Sequence, residues 1–208
     1  MGQVLFVRHG QASWGAADYD VLSPLGEQQA AAVGAFLADV PVRVGVHGAM
    51  RRQRETAELL VQAAGWDVAP SVDERWDEMD HQGVLDAHPP EFDGEPDARQ
   101  FQAWLEKATA RWLSGEHDHD YTEPWIPFRD RVLAGFEALG DGSSVVVTSA
   151  GPVSVVVAHL LESPAAYRRI APVVVNAAVT KVVVGSRGHT LVSFNEHGHL
   201  PGDLLTYR

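Results

Sequence analysis

Apolar residues follow two rhythms along this chain: short unbroken runs, and longer stretches in which they return every three or four positions. The first run, Val4-Leu5-Phe6-Val7, lacks polar alternation and holds two Val and a Phe, as expected of a strand covered on both faces. It stops at Arg8-His9-Gly10. From Leu22 to Leu37 the period is helical, with Leu25, Gln28, Gln29, Val33, Phe36 and Leu37 on one side. Ser23 is the expected N-cap there, Pro24 suits the first helical position, and Glu27 is read as the partner in a capping box. Val42 to His47 reads as a second strand, and Arg51 to Ala64 as a second helix with Leu59, Leu60 and Ala63 inward. Trp66 to Val72 reads as a third, shorter strand. An amphipathic helix is expected over Phe101 to Leu113, where the spacing of Phe101, Trp104 and Trp112 points to packing. Beyond it come a helix over Pro127 to Leu139, the clearest strand at Ser144 to Ser149, and a helix over Pro152 to Leu161. Val173 to Val184 and Thr190 to Phe194 supply the last strands, around a turn at Gly185 to Gly188.

Strands alternating with helices predict an α/β protein, a three-layer α/β/α sandwich on a mostly parallel central sheet. A chain of 208 residues suits one domain over 1–208. Within it, residues 78–123 are rich in Asp, Glu, His and Pro and read as a helical insertion, a lid over the C-terminal rim of the sheet. That rim is where open α/β sheets bind ligands. Arg8 and His9, delivered there by the first strand, lose solvation unless something anionic compensates them.

Composition narrows the classes of function. A net charge of −12 argues against a nucleic-acid partner, and an anionic ligand then requires arginines concentrated in one place. The absence of cysteine removes disulfides, thiol nucleophiles and Cys-based zinc sites. No apolar stretch reaches membrane-spanning length and no basic segment leads into one, so a cytoplasmic protein without a membrane partner is expected. Glu116-His117-Asp118-His119-Asp120 and the pair His197 and His199 alternate as metal ligands can. They sit in polar stretches and read as solvated loops, so no metal and no cofactor is expected. Oligomeric state is not legible.

Several segments then accumulate in one order. Arg8-His9-Gly10 follows the first strand. Gly48-Ala49-Met50-Arg51-Arg52-Gln53-Arg54-Glu55-Thr56-Ala57 opens the second helix, Asp73 to His81 follows a short strand, and Val145 to Val153 joins a strand to a helix. Asn176 to Thr180 and Asn195 to Leu200 close the series. This series resembles the histidine phosphatase superfamily, the phosphoglycerate mutase-like family, from Val4 to Leu200. The resemblance implies that His9 is a nucleophile that becomes phosphohistidine, and that Arg8 and Arg52 bind the phosphoryl group. Arg51 and Arg54 read as a solvated helix face. With Trp76 registered on the usual apolar residue, Glu78 is the implied general acid, while Glu74 and Asp77 compete for that role. Gln11 and Ser13 are implied at the pocket mouth, and Ser149 and Gly151 as further donors to phosphate.

Three positions depart from the family pattern: Gly48 where Ser is usual, Glu55 where Gln is usual, and Ala150 where the second catalytic histidine stands. Loss of that imidazole removes one donor to the transferring group, a deficit on the order of 10²–10³ in rate by analogy with an oxyanion-hole donor. The function implied is a phosphomonoester hydrolase, attenuated by Ala150, acting on a small phosphorylated substrate. The alternatives are a weakly active or inactive member that binds phosphate or its esters, and a phosphoglycerate-type mutase. The acidity of residues 78–123 argues against polyanionic leaving groups.

Overall fold

The structure is a computed structural model describing residues 2–13, 18–92, 94–186 and 188–207. Arg187, within the expected turn at Gly185 to Gly188, lies outside the described residues. Two compact units emerge, residues 1–78 with 132–208, and residues 79–131.

The first unit is built on a six-stranded mixed sheet of order β3-β2-β4-β1-β5-β6. Its strands are β1 (Gly2–Arg8), β2 (Val44–His47), β3 (Ser71–Val72), β4 (Ser143–Thr148), β5 (Val179–Gly185) and β6 (Gly188–Glu196). β3, β2, β4 and β1 run parallel, while β5 and β6 join antiparallel, so the mostly parallel sheet carries an antiparallel end. β1 is covered on both sides, as its unbroken apolar run requires. Leu5 and Val7 pack with Val145, Val147 and Val179 beneath Val33 and Leu37 of the α1 segment and Ala57 and Leu60 of α2; these helices are α1 (Pro24–Phe36) and α2 (Arg51–Ala64). On the other side the ring of Phe6 meets Trp76 at 5.4 Å and Phe136 at 5.9 Å.

The remaining helices are α3 (His81–Asp86), α4 (Ala98–Ser114), α5 (Trp125–Glu137), α6 (Ala150–Leu160) and α7 (Tyr167–Ile170). The second unit holds α3, α4 and the start of α5. There Asp97 and Gln100 form a reciprocal capping box at the start of α4. Trp112 packs on Trp125 at 5.2 Å and on Phe128 at 5.4 Å, and Trp104 meets Phe92 and Phe101 edge-on, so the aromatics at helical spacing are packing residues.

Local expectations fail at five places. Ser23 caps α1 through Gly26 N–H, but the N3 position belongs to Gly26 and not to Glu27, so the box has no second half. Gln28 is exposed, whereas Gln29 is fully buried and ties Gln11 N–H to the Leu204 carbonyl and the Thr206 hydroxyl. The buried side of α2 carries Arg52, Gln53, Thr56, Ala57 and Leu60, leaving Ala63 outside, because polar groups on this helix have partners inward. The third strand shrinks to Ser71–Val72, since Pro70 brings no N–H to a ladder. The expected strand from Val173 begins only at Val179. Ala177 takes φ +56 and breaks the extended run, and Val174 to Ala178 becomes a loop.

Gly10 and Gly26 mark a close crossing of backbone on backbone. A Cβ on Gly10 would lie 2.4 Å from the Gly26 carbonyl oxygen, and one on Gly26 would lie 2.2 Å from that of Gln11. Gly10→Ala is therefore expected to destabilise the fold by about 1–3 kcal/mol, the cost of forced displacement in a packed site. Urea denaturation checks this, and an unchanged midpoint counts against the crossing.

Candidate active site

Two parallel strand ends set the site. β1 and β4 pair in the register Arg8↔Thr148, so the loops after them leave the sheet side by side. His9 N–H donates to the Thr148 carbonyl at 2.8 Å and continues the ladder one residue past the strand. Asn176 Nδ2 donates to the His9 carbonyl at 3.1 Å. The Val174 to Ala178 loop, misread as strand, thus braces the His9 backbone. Thr56 on α2 accepts Gly10 N–H at 3.0 Å and donates its hydroxyl to the Arg52 carbonyl.

His9 is buried, with 5% exposure. Its Nδ1 lies 2.7 Å from the Gly10 carbonyl oxygen, and its Nε2 lies 3.2 Å from Arg52 Nε. A carbonyl only accepts and a guanidinium only donates, which assigns the proton to Nδ1 and a lone pair to Nε2. This is the neutral tautomer with its basic nitrogen facing the site. Arg52 is buried in turn, donating from Nη1 to Asp20 Oδ1 at 2.6 Å and from Nη2 to Met50 Sδ, with its guanidinium 5.6 Å from the centre of the Tyr19 ring. Its neighbours Arg51 and Arg54 are exposed; Arg51 pairs with Glu55 one turn on and with Asp18, and Arg54 with Glu58.

Arg8 is held from the side. Its Nη1 donates to the carbonyls of Val174 and Tyr207, while its Nε–H is buried without an acceptor. Loss of solvation lowers the Arg8 pKa to about 10, against the attraction of Glu78 and Tyr19 and with the repulsion of Arg52. Arg8 therefore stays cationic at neutral pH and shares its electrostatic surroundings with Glu78 and Arg52. Glu78 is 8% exposed and accepts Gly151 N–H at 3.0 Å, in the first turn of α6. Of its competitors, Glu74 is exposed, and Asp77 accepts Ala49 N–H at the approach to α2. Tyr167, also buried, has its hydroxyl pKa raised well above the ordinary value by burial and then by Glu78, so it remains a neutral phenol beside that carboxyl.

The structure thus brings together Arg8, His9, Arg52, Glu78 and Gly151. Gln11 and Ser13 serve the loop after β1: the Gln11 side-chain oxygen accepts from Ser23 and the Ser13 hydroxyl donates to the Leu22 carbonyl. Ser149 is fully buried at the N-cap of α6 without capping it, and its hydroxyl accepts from Gln53 Nε2 at 2.9 Å. Gln53 also donates to the Trp76 carbonyl, linking α2 to the segment before Glu78. Ala150 is the first residue of α6 and half-buried. Asp20, Tyr19, Thr56, Gln53, Asn176 and Tyr167 were not singled out from the sequence as site residues. Asp20, an acidic residue just ahead of the Ser23-Pro24 helix start, is a weak local signal. Among the described residues no three His, Asp or Glu side chains gather to hold a metal ion, and no helix is long and apolar enough to cross a membrane.

The family model described as histidine phosphatase superfamily (branch 1) matches residues 4–197. The chain belongs to the histidine phosphatase superfamily. Among curated members it is 28% identical over 162 residues to the 2-carboxy-D-arabinitol-1-phosphatase of Triticum aestivum, covering 73% of this chain and 31% of that protein. It is 37% identical over 92 residues to a probable phosphoglycerate mutase of Citrobacter koseri, covering 41% of each. The chain thus matches less than half the length of these relatives. Among solved structures, a phosphoglycerate mutase from Bacillus anthracis superposes with a TM-score of 0.69 at 18% identity, over 95% of this chain and 94% of the other. A variant of phosphoserine phosphatase from Entamoeba histolytica, in complex with phosphoserine, gives 0.69 at 21%, over 97% and 100%.

One half-buried histidine makes a pH prediction. His199 donates from Nε2 to the Ala177 carbonyl at 3.0 Å and stacks on Phe36, while its Nδ1 is buried without a partner. Burial lowers its pKa below the ordinary value of about 6.5. As pH falls below that value the unfolded chain takes the proton first, so stability is lost toward acid. The thermal midpoint is expected to drop between about pH 7.5 and pH 5.5 by less in His199→Gln than in the wild type. Equal drops overturn the assignment.

Proposed function

We propose that this member of the superfamily is a phosphomonoester hydrolase working through phosphohistidine on His9. The observation that carries the reading is His9 set between the Gly10 carbonyl at Nδ1 and the guanidinium of buried Arg52 at Nε2, a placement that assigns the lone pair to Nε2. In the first step Nε2 forms a bond to phosphorus as the bond from phosphorus to the alcohol oxygen breaks, and Glu78 delivers a proton to the departing oxygen. In the second, water attacks phosphorus, Glu78 takes its proton, and the nitrogen–phosphorus bond breaks to release phosphate. Arg52 and the unfilled Nε–H of Arg8 neutralise the equatorial oxygens. Glu78 is held for its task by Gly151 N–H and lies beside the neutral phenol of Tyr167. Gly151 N–H is already given to Glu78, whereas Ser149 accepts from Gln53 and keeps its O–H as a donor beside the two arginines.

Ala150 supports a second reading, a phosphate binder with little turnover, since the resemblance places an imidazole there. The deciding experiment is a phosphate-ester panel run on the wild type, on His9→Ala and on Ala150→His, with trapping of radiolabelled phosphate. The hydrolase reading expects acid-labile label on the wild type, none on His9→Ala, and turnover raised on the order of 10²–10³ in Ala150→His. Tight phosphate binding with no label and no turnover in any of the three overturns it in favour of the binder.

A further inference from the structure

We infer that Asp20 tunes the site toward phosphomonoesters whose alcohol part carries a positive charge, and against those whose alcohol part carries a carboxylate or a second phosphate. This inference rests on the hydrolase reading. Asp20 holds the two donors a phosphate dianion would seek at a helix start: its Oδ1 accepts from Arg52 Nη1 at 2.6 Å, and its Oδ2 accepts the first N–H of α2, that of Arg51, at 2.7 Å. The chain thus supplies its own anion at the mouth of the site, which is a feature of placement, since Asp20 and Arg52 lie 32 positions apart. With Nη1 bonded to Asp20, Nη2 to Met50 and Nε turned toward His9, Arg52 meets a phosphoryl group with part of its fork already engaged.

Charge follows from the same geometry. Two guanidinium groups, Arg8 and Arg52, stand against Asp20, and Glu78 enters the first step carrying the proton it delivers, so the set holds one net positive charge against the two negative charges of a phosphate dianion. Around them Arg51 bridges Asp18 and Glu55, adding one more negative than positive charge. The whole chain carries −12. A phosphate dianion entering this setting is under-compensated, and an anionic alcohol part worsens the imbalance while a cationic one relieves it. The aromatic ring of Tyr19, 47% exposed, already has the Arg52 guanidinium over it at 5.6 Å, so the preference argued here comes from charge balance.

The test compares kcat/KM for O-phosphoethanolamine and phosphocholine with that for 3-phosphoglycerate, taking glycerol 2-phosphate as the neutral reference, on the wild type and on Asp20→Asn. The amide preserves the size of the side chain and one acceptor while removing the charge. The wild type is expected to favour the cationic esters over the anionic one by roughly tenfold or more, and Asp20→Asn to reduce that ratio roughly tenfold, the scale of one charge acting across partly wet protein. A wild-type preference for 3-phosphoglycerate, or a ratio unmoved by Asp20→Asn, overturns the inference. Should Asp20→Asn fail to fold, the wild-type preference measured from about 0.05 to about 0.5 M NaCl replaces it. Compression of the ratio with salt is expected, and a flat ratio overturns the inference. Turnover without charge preference sinks this inference alone; absence of both turnover and labelled His9 sinks the hydrolase reading beneath it.

Discussion

Arg52→Lys is expected to lower kcat/KM on a simple aryl phosphate by about 10²–10³ and to weaken inhibition by orthovanadate, with the fold intact. Arg52 works in three directions at once: Nε toward His9, Nη1 toward Asp20 and Nη2 toward Met50. A lysine ammonium is a point charge on a flexible stem. It can pair with Asp20 or approach the phosphoryl group, but it lacks the planar fork that fixes both. Because Asp20 keeps a cationic partner, little stability is lost, and a urea midpoint close to wild type separates a catalytic deficit from unfolding. Near-normal kinetics in Arg52→Lys would show that a charge alone suffices and would remove the geometric role given to the guanidinium.

Trp76→Ala is expected to cost about 3–5 kcal/mol of folding stability, the range for emptying a large aromatic from a packed core. Trp76 is fully buried, its ring meets Phe6, and a Cβ on Gly135 would stand only 3.2 Å from its indole. Activity is expected to fall as well, because Glu78 is two residues on and the Trp76 carbonyl accepts from both Thr148 and Gln53. Trp76→Phe is the milder comparison: it keeps an aromatic ring and removes an indole N–H that is buried without an acceptor. Chemical denaturation of the two variants gives the order, and an alanine variant no less stable than the phenylalanine one would contradict the packing described here.

Much of the site was legible because it lies where strand patterns break. An apolar run that ends in Arg8-His9-Gly10 has to end at the sheet rim, and the start of α2 placed Arg52 in its first turn. The resemblance selected Glu78 by register and left Glu74 and Asp77 in competition, because a run of acidic residues does not encode burial; in the structure Glu74 is exposed, and Glu78 is buried and accepts from Gly151. The Val173 to Ala178 stretch misled because it is as apolar as a strand. What bends it is tertiary: Arg8 donates to the Val174 carbonyl, Asn176 reaches the His9 carbonyl, and Ala177 adopts a left-handed conformation between them. The inward face of α2 was misjudged for a related reason. Counting apolar residues put Ala63 inside, whereas Gln53 and Thr56 occupy the interior because their partners, Ser149, Trp76 and Gly10, come from other parts of the chain. Asp20 escaped notice likewise, its partners lying on the far side of β2.

The in-line pairing of Arg8 with Thr148 has a consequence for substitutions at the site. The reagent-bearing turns hang from neighbouring rungs of one hydrogen-bonded ladder, so their spacing is inherited from main-chain geometry and not from the side chains they display. Exchanging one displayed group, as in Ala150→His, leaves those rungs untouched, so the folded frame is expected to survive the change and any gain or loss in turnover reads on the side chain alone.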